Sequence, residues 1–292
     1  MTDSALITTG LPVALAIIMF GLGLSLTLGD FRRVARTPKA VAVALFLQVV
    51  ILPMVALTLI LIFDVEPLLA VGLMLLAASP GGTTASLFSH LFRGDVALNI
   101  TLTAINSVLA VITIPVFTNF AIGYFDVDGK LGLQFGKISE VLAFILIPVV
   151  IGMFVRTQAP KFALRMDRPV RIFSIVILAT VSVGALIGER DNALDYLLQI
   201  GLVTALFCLF SLTLGYLGAR ILRLDQPSSV ASSMEVGIHN TTVALTVALS
   251  VLENPIVAIP SAVYSVFMYP FAAAFGYAVT RERSHAIESR PA

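Results

Sequence analysis

Apolar residues fall in long blocks along this chain, and polar residues gather in the short gaps between them. A helix rises about 1.5 Å per residue, so roughly 20 apolar residues cross a hydrocarbon core of about 30 Å. About nine blocks reach that length, at about 8–28, 39–62, 67–92, 96–122, 138–155, 172–188, 196–219, 227–252 and 256–279. The gaps are short, as from Phe63 to Glu66, Arg93 to Asp95 and Glu253 to Pro255; the longest are 123–137 and 156–171. The pattern predicts an all-α polytopic membrane protein with about nine transmembrane helices. No soluble domain fits between the blocks.

Two blocks are interrupted. The third holds Ser79-Pro80-Gly81-Gly82-Thr83-Thr84-Ala85-Ser86. Proline removes a backbone donor, and paired glycines weaken a helix further. The eighth holds Ser232-Ser233-Met234-Glu235-Val236-Gly237-Ile238-His239-Asn240-Thr241-Thr242. Each is the penultimate block of its half of the chain, and the two run in opposite directions across the bilayer. Interrupted segments at matching positions of oppositely oriented halves are the pattern of inverted-repeat secondary transporters. The expected organisation is one transmembrane transporter domain over 1–292, with a first repeat at about 8–122 and a second at about 138–279. Two ordinary helix kinks are the bland alternative; the shared polarity of the two breaks weighs against it.

Composition agrees with a bilayer. Of 292 residues 58% are hydrophobic and 12% charged, with a mean hydropathy of +1.01. The net charge of +1 gives no nucleic-acid footprint. Cys208 is the single cysteine, which rules out a disulfide within the chain and a cysteine metal site. Asp3 precedes the first block and no Lys or Arg occurs before Arg32, so that block reads as a retained span and not a signal peptide. The cations are strongly skewed. Lys130, Lys137 and Arg190 fall on one side of the predicted alternation, and the other 15 of the 18 Lys and Arg residues on the opposite side. The positive-inside rule then places the N-terminus outside and the tail, 280–292, in the cytoplasm of a cell (inner) membrane.

The second break carries the chemistry. Glu235 lies about nine residues into its block, roughly 14 Å deep and near the bilayer midplane. An ionisable group at that depth is costly, and it marks an ion or substrate path. Around it the sequence supplies oxygen donors: Gln48 in the second block, and Asn99, Thr103 and Asn106 on one face of the fourth. The second halves of both broken spans start near Thr83–Ala85 and Asn240–Thr242. Their free N–H groups suit an anionic substrate group. Unwound carbonyls at 235–239 suit a hard cation.

At these residues the sequence resembles the bile acid:sodium symporter family. The carrying motifs are Ile17-Ile18-Met19-Phe20-Gly21-Leu22-Gly23-Leu24, Pro80-Gly81-Gly82-Thr83 followed by Arg93-Gly94-Asp95-Val96-Ala97-Leu98, and Glu235-Val236-Gly237-Ile238-His239-Asn240. The resemblance covers essentially the whole chain. It implies two crossed broken helices in a core domain beside a panel domain, and sodium-coupled symport of an organic anion, bile acid-like or a small carboxylate, by alternating access. It implies a first sodium site at Ser86, Asn99, Thr103 and Glu235, with Ala85 where a serine is usual. It implies a second at Gln48, Glu235, Val236 and Ile238, with His239 in place of the familiar glutamine. Substrate would meet Thr83, Thr84, Asn240 and Thr241. The coupling ion is then Na+, one or two per cycle.

The alternative is proton-coupled or exchange-type organic anion transport on the same fold, through His239 and Glu235. An intramembrane enzyme is disfavoured, since neither H-E-x-x-H nor G-x-S-x-G occurs. The charge skew gives a direct test of topology. Reporter fusions should show an N-terminus outside the cytoplasm and a C-terminus inside; a cytoplasmic N-terminal reporter would sink the nine-span arrangement.

Overall fold

The structure is a computed structural model. It describes residues 37–82, 84–127, 135–166 and 193–288, with isolated positions between 16 and 29 and between 169 and 180; at 135–146, 193–198 and 282–288 only the backbone is described. The expected spans at about 8–28 and 172–188 lie mostly outside the described residues, and Thr83 lies outside them too.

Every described regular element is a helix. Helix α1 covers Pro38–Ile62 and contains a π turn at Leu47–Ile51. Then come α2 (Pro67–Ala78), α3 (Ala85–Leu91), α4 (Val96–Tyr124), α5 (Phe135–Gln158) and α6 (Ala193–Ile221). Helices α7 (Gln226–Gly237) and α8 (Thr241–Thr246) follow, α8 running into a second π turn at Val247–Val251. Helix α9 (Pro255–Glu288) closes the chain. Four described stretches are long and apolar enough to cross a membrane: Pro38–Ile62, Val96–Tyr124, Gln199–Ile221 and Pro255–Arg281. The expected third span is two half-helices, α2 and α3; the expected eighth is α7 and α8.

Polarity is arranged as a bilayer requires. On α4, Ile112, Val116 and Phe120 recur every fourth residue and are 62%, 55% and 46% exposed. The other side of α4 carries Asn99, Thr103 and Asn106, all buried. Apolar outside and polar inside is the reverse of a helix on a water-soluble core.

Helix boundaries reuse one device. Both broken spans open on an acidic cap followed by a proline in the first turn. Glu66 accepts from Leu68 and Leu69 N–H at 3.0 and 3.1 Å, and Asp225 accepts from Ser228 N–H at 2.9 Å. An acceptor there satisfies orphan N–H groups, and proline in the first turn removes a donor that would have no partner. Helix ends turn back through left-handed residues, including Asp64, Arg93, Asp126 and Arg223, at φ of 48°, 56°, 52° and 62°.

Close packing around the breaks depends on small residues. Gly72 on α2 faces the backbone of α9, where an added Cβ would collide with the Val257 carbonyl and Pro260. Gly215 lets α6 lie against the backbone of Ser232 and Ser233 on α7, and Ser233 Oγ donates to Leu212 O at 2.8 Å. Gly201 on α6 meets nothing within 4 Å. Gly72→Val should therefore destabilise the protein by about 1–3 kcal/mol through overpacking. Gly201→Ala should be neutral or stabilise by up to about 1 kcal/mol. Thermal unfolding in detergent checks both; equal midpoints for the two variants would refute the close α2–α9 contact.

Candidate functional site at the meeting of the two breaks

The two interruptions meet through their main chains. Gly82 N–H donates to Ile238 O at 2.6 Å, and Asn240 N–H donates to Pro80 O at 2.8 Å, with Gly81 and His239 paired antiparallel. Side chains satisfy further freed carbonyls. Gln48 Nε2 donates to Ser79 O at 3.2 Å, Thr113 Oγ1 to Ala78 O at 3.0 Å, and the Tyr264 hydroxyl to Gly237 O at 2.8 Å. Non-helical backbone at membrane depth is tolerable only with such internal partners.

Glu235 sits in the last turn of α7, fully buried. Thr103 Oγ1 approaches its Oε2 at 2.6 Å, and Asn106 Nδ2 donates to its Oε1 at 2.9 Å. The carboxylate lies against Gly81 of the other break, and a Cβ at Gly81 would overlap it. Glycine is therefore required there for close approach as well as for breaking the helix. Asn99 Nδ2 donates to Ala231 O at 3.0 Å, tying α4 to α7 one turn before Glu235.

Several acceptors on the two breaks and the helices beside them lack donors. Asn99 Oδ1, Asn106 Oδ1, Gln48 Oε1 and His239 Nε2 are buried with no hydrogen-bond partner in the protein. The histidine tautomer follows from hydrogen counting. Tyr264 gives its one hydroxyl hydrogen to Gly237 O, so at the 3.1 Å contact between His239 Nδ1 and Tyr264 the phenol oxygen accepts. Nδ1 carries the proton and Nε2 is a bare lone pair. Phe207 and Tyr264 hold the ring, with centroids 5.6 and 5.2 Å away.

The expected residues therefore divide. Glu235 and Thr103 are in direct contact, Asn99 adjoins Thr103 through a 3.1 Å bond to its carbonyl, and Val236, Ile238 and His239 follow on the same break. Ser86 is in the first turn of α3, half-buried, and Ala85 beside it is fully buried. Gln48 is held by Ser79 of the first break, not by Glu235. Thr84 precedes α3. Asn240 caps α8, its Oδ1 accepting from Val243 N–H at 3.3 Å, and Thr241 is buried behind it. Residues missed by the sequence reading are Tyr264, Thr113 and the Gly81 contact. Asn106 was visible as a polar position on the α4 face, but not as a carboxylate partner.

A bundle of apolar helices with two paired breaks around a buried carboxylate is the site of a membrane protein that handles an ion or a solute inside the bilayer. The chain belongs to the sodium bile acid symporter family, whose sequence profile matches residues 12–196. It is 33% identical to a probable chloroplastic sodium/metabolite cotransporter of Arabidopsis thaliana, over 87% of this chain and 62% of that one. It is 30% identical to an uncharacterized sodium-dependent transporter of Bacillus subtilis, over 89% and 80%. With the ileal sodium/bile acid cotransporter of Homo sapiens the identity is 26%, over 97% of this chain and 82% of that one.

Removing the Tyr264 hydroxyl strands Gly237 O and His239 Nδ1 in the interior. Tyr264→Phe should cost about 1–3 kcal/mol, read as a lower thermal midpoint. An unchanged midpoint would show that the hydroxyl does not hold the second break.

Proposed function

We propose that this protein is a secondary active transporter coupling sodium to symport of an organic anion, a bile acid-like molecule or a small carboxylate, by alternating access. The observation that carries the reading is a fully buried carboxylate at the crossing of the two breaks, with Asn106 beside it and further buried amide oxygens and an imidazole nitrogen on the breaks and their flanking helices that lack donors. Such a cluster is unfavourable unless a cation enters it. Carboxylate and carbonyl oxygens suit a hard ion. One carboxylate is neutralised by one monovalent ion, and the charge of a second is balanced by the anionic substrate carried with it. Sodium fits all three conditions, and the sodium-dependent relatives point the same way.

In this reading Ser86, Asn99, Thr103 and Glu235 bind the first sodium. Gln48, Glu235, Val236 and Ile238, with His239 beside them, bind the second. Substrate meets Thr83, Thr84, Asn240 and Thr241 at the starts of α3 and α8. The nine spans form two inverted repeats, the N-terminus lies outside, and the broken helices belong to a core that moves against a panel. Sodium supplies binding energy that only a closed crossing of the two breaks collects.

A proton can stand in for the first sodium. Thr103 Oγ1 lies 2.6 Å from Glu235 Oε2 and 3.1 Å from Asn99 O, yet it has one hydrogen. A protonated Glu235 satisfies both contacts, donating to Thr103 while Thr103 donates to Asn99 O. Proton and sodium then compete for one carboxylate, because a cation site needs its ligands deprotonated. Sodium affinity should weaken as pH falls and recover as it rises. Glu235→Gln should abolish sodium-stimulated uptake in vesicles and remove this pH dependence while the protein still folds. Sodium-dependent uptake at the wild-type level in Glu235→Gln would overturn the reading.

A further inference from the structure

The connection that follows α5 takes no part in the crossing, yet its surface is unusual. The outer side of α5 is apolar as far as Phe154: Ile147, Val150, Ile151 and Phe154 recur at helical spacing and are all exposed. Cations begin directly after it, with Arg156, Lys161 and Arg165, and Arg168 and Arg171 follow in the sequence. The hydrocarbon edge therefore falls here, and the connection starts at the level of the lipid head groups. Pro160 ends α5 and opens a short helical segment over 160–166. Ala159 N–H still donates to Val155 O at 2.7 Å, and Ala163 N–H donates to Ala159 O at 3.0 Å. Ala163 is fully buried and fixes the inner side of the segment. At about 100° per residue, the outer side then carries Lys161 and Arg165 at its middle, with Phe162 and Leu164 on the two flanks. Both cations are exposed, and Phe162 and Leu164 are 49% and 63% exposed.

Among the described residues, the side chains of Arg156, Lys161 and Arg165 have no ion-pair or hydrogen-bond partner. Other arginines are engaged within the protein: Arg220 donates to Leu224 O at 3.0 Å, and Arg281 lies 5.7 Å over the Tyr277 ring. Uncommitted cations flanked by apolar side chains at head-group level match a phospholipid surface, with phosphate for the charges and the upper acyl chain for the rest. We propose that 156–166 is a docking surface for anionic phospholipid. Arg156, Lys161 and Arg165 hold head-group phosphates of the cytoplasmic leaflet, and Phe162 and Leu164 enter the acyl-chain boundary. The proposal takes only the membrane orientation from the reading above, and nothing from the transported ion or solute. Lipid bound there fixes the height of α5. Gly152 of α5 packs against Gly23, where an added Cβ on either would collide with the main chain of the other helix. The chain around Gly23 is thereby held with α5, and the two breaks move against a frame pinned to the leaflet.

The chain has no tryptophan, so Phe162→Trp places a single fluorophore on this surface. The full chain carrying it is reconstituted in phosphatidylcholine nanodiscs with a fixed minor fraction of acyl-brominated lipid, either phosphatidylglycerol or phosphatidylcholine, and quenching is read. Both leaflets have the same composition, so the result does not depend on orientation. Both brominated lipids should quench, and phosphatidylglycerol should quench more strongly at equal mole fraction. Lys161→Gln and Arg165→Gln should each lower that preference by up to about fivefold at low salt. Unchanged quenching by brominated phosphatidylcholine in these variants separates lost selection from misfolding. Raising the salt from roughly 0.05 to 0.5 M should weaken the preference by screening. Arg220→Gln, whose guanidinium is engaged by Leu224 O, should retain it. Absence of quenching by either lipid would put position 162 in water and overturn the surface. Equal quenching by the two lipids, or an equal loss of preference in Arg220→Gln, would overturn the selection of anionic lipid and leave an ordinary charged face.

Discussion

The constraint on which the rest of this structure depends is the placement of one fully buried carboxylate at the point where two helices are both open. Glu235 is shielded from bulk solvent, so its surroundings must supply donors or a counter-charge. A continuous helix beside it could supply neither, because its main-chain groups would be paired along its own axis. The break at 79–84 frees them, and Gly81 lets that backbone approach the carboxylate without a side chain between. The opening and the charge are therefore one design. Each break by itself leaves unpaired carbonyls in the membrane, and each is closed by the other through Gly82–Ile238 and Pro80–Asn240.

Neighbouring helices finish what the breaks leave. Gln48 reaches Ser79 from within the π turn of α1, a local widening that presents side chains off the regular α-helical rows. A second π turn follows α8. Thr113 from α4 and Tyr264 from α9 close the carbonyls of Ala78 and Gly237. These contacts are single hydrogen bonds, each worth about 0.5–1.5 kcal/mol net. They rigidify the crossing without gluing it.

Much of this was legible in the sequence because its signals are local. Pro80-Gly81-Gly82 and Gly237 near Asn240 announce breaks by backbone chemistry alone, and the structure interrupts the helices there. The spacing of Asn99, Thr103 and Asn106 put them on one face, and two of the three reach Glu235. What was not legible is rotational phase and long-range pairing. In α1, and in α9 as far as Val279, most residues are apolar, so no pattern says which side of the helix faces inward. By sequence alone Tyr264 is one more aromatic of an apolar span, and Thr113 on α4 is a lone hydroxyl. Gln48 was recognised as a donor, yet its actual partner, Ser79, lies 31 residues away. The expected spans at about 8–28 and 172–188 fall largely outside the described residues, so the structure speaks only to the rest.

His239 shows how an imidazole can offer a lone pair where an amide is expected. Family resemblance leads one to expect glutamine here, whose amide oxygen offers a lone pair. An imidazole does so only if its proton is on the right nitrogen. Tyr264 decides that. Its hydrogen is held by Gly237 O, so its oxygen can only accept, and Nδ1 must be the protonated atom. Nε2 is left as a neutral acceptor, fixed in direction by Phe207 and Tyr264. The phenol thus ties the shape of the second break, through Gly237, to the tautomer of the residue two positions on. The cost is adaptability: an amide can rotate to exchange its oxygen for its nitrogen, whereas this ring is locked as an acceptor while α9 stays packed on the break. Movement of α9 away from Gly237 would release both the carbonyl and the imidazole together, coupling the geometry of the crossing to the character of one of its lone pairs.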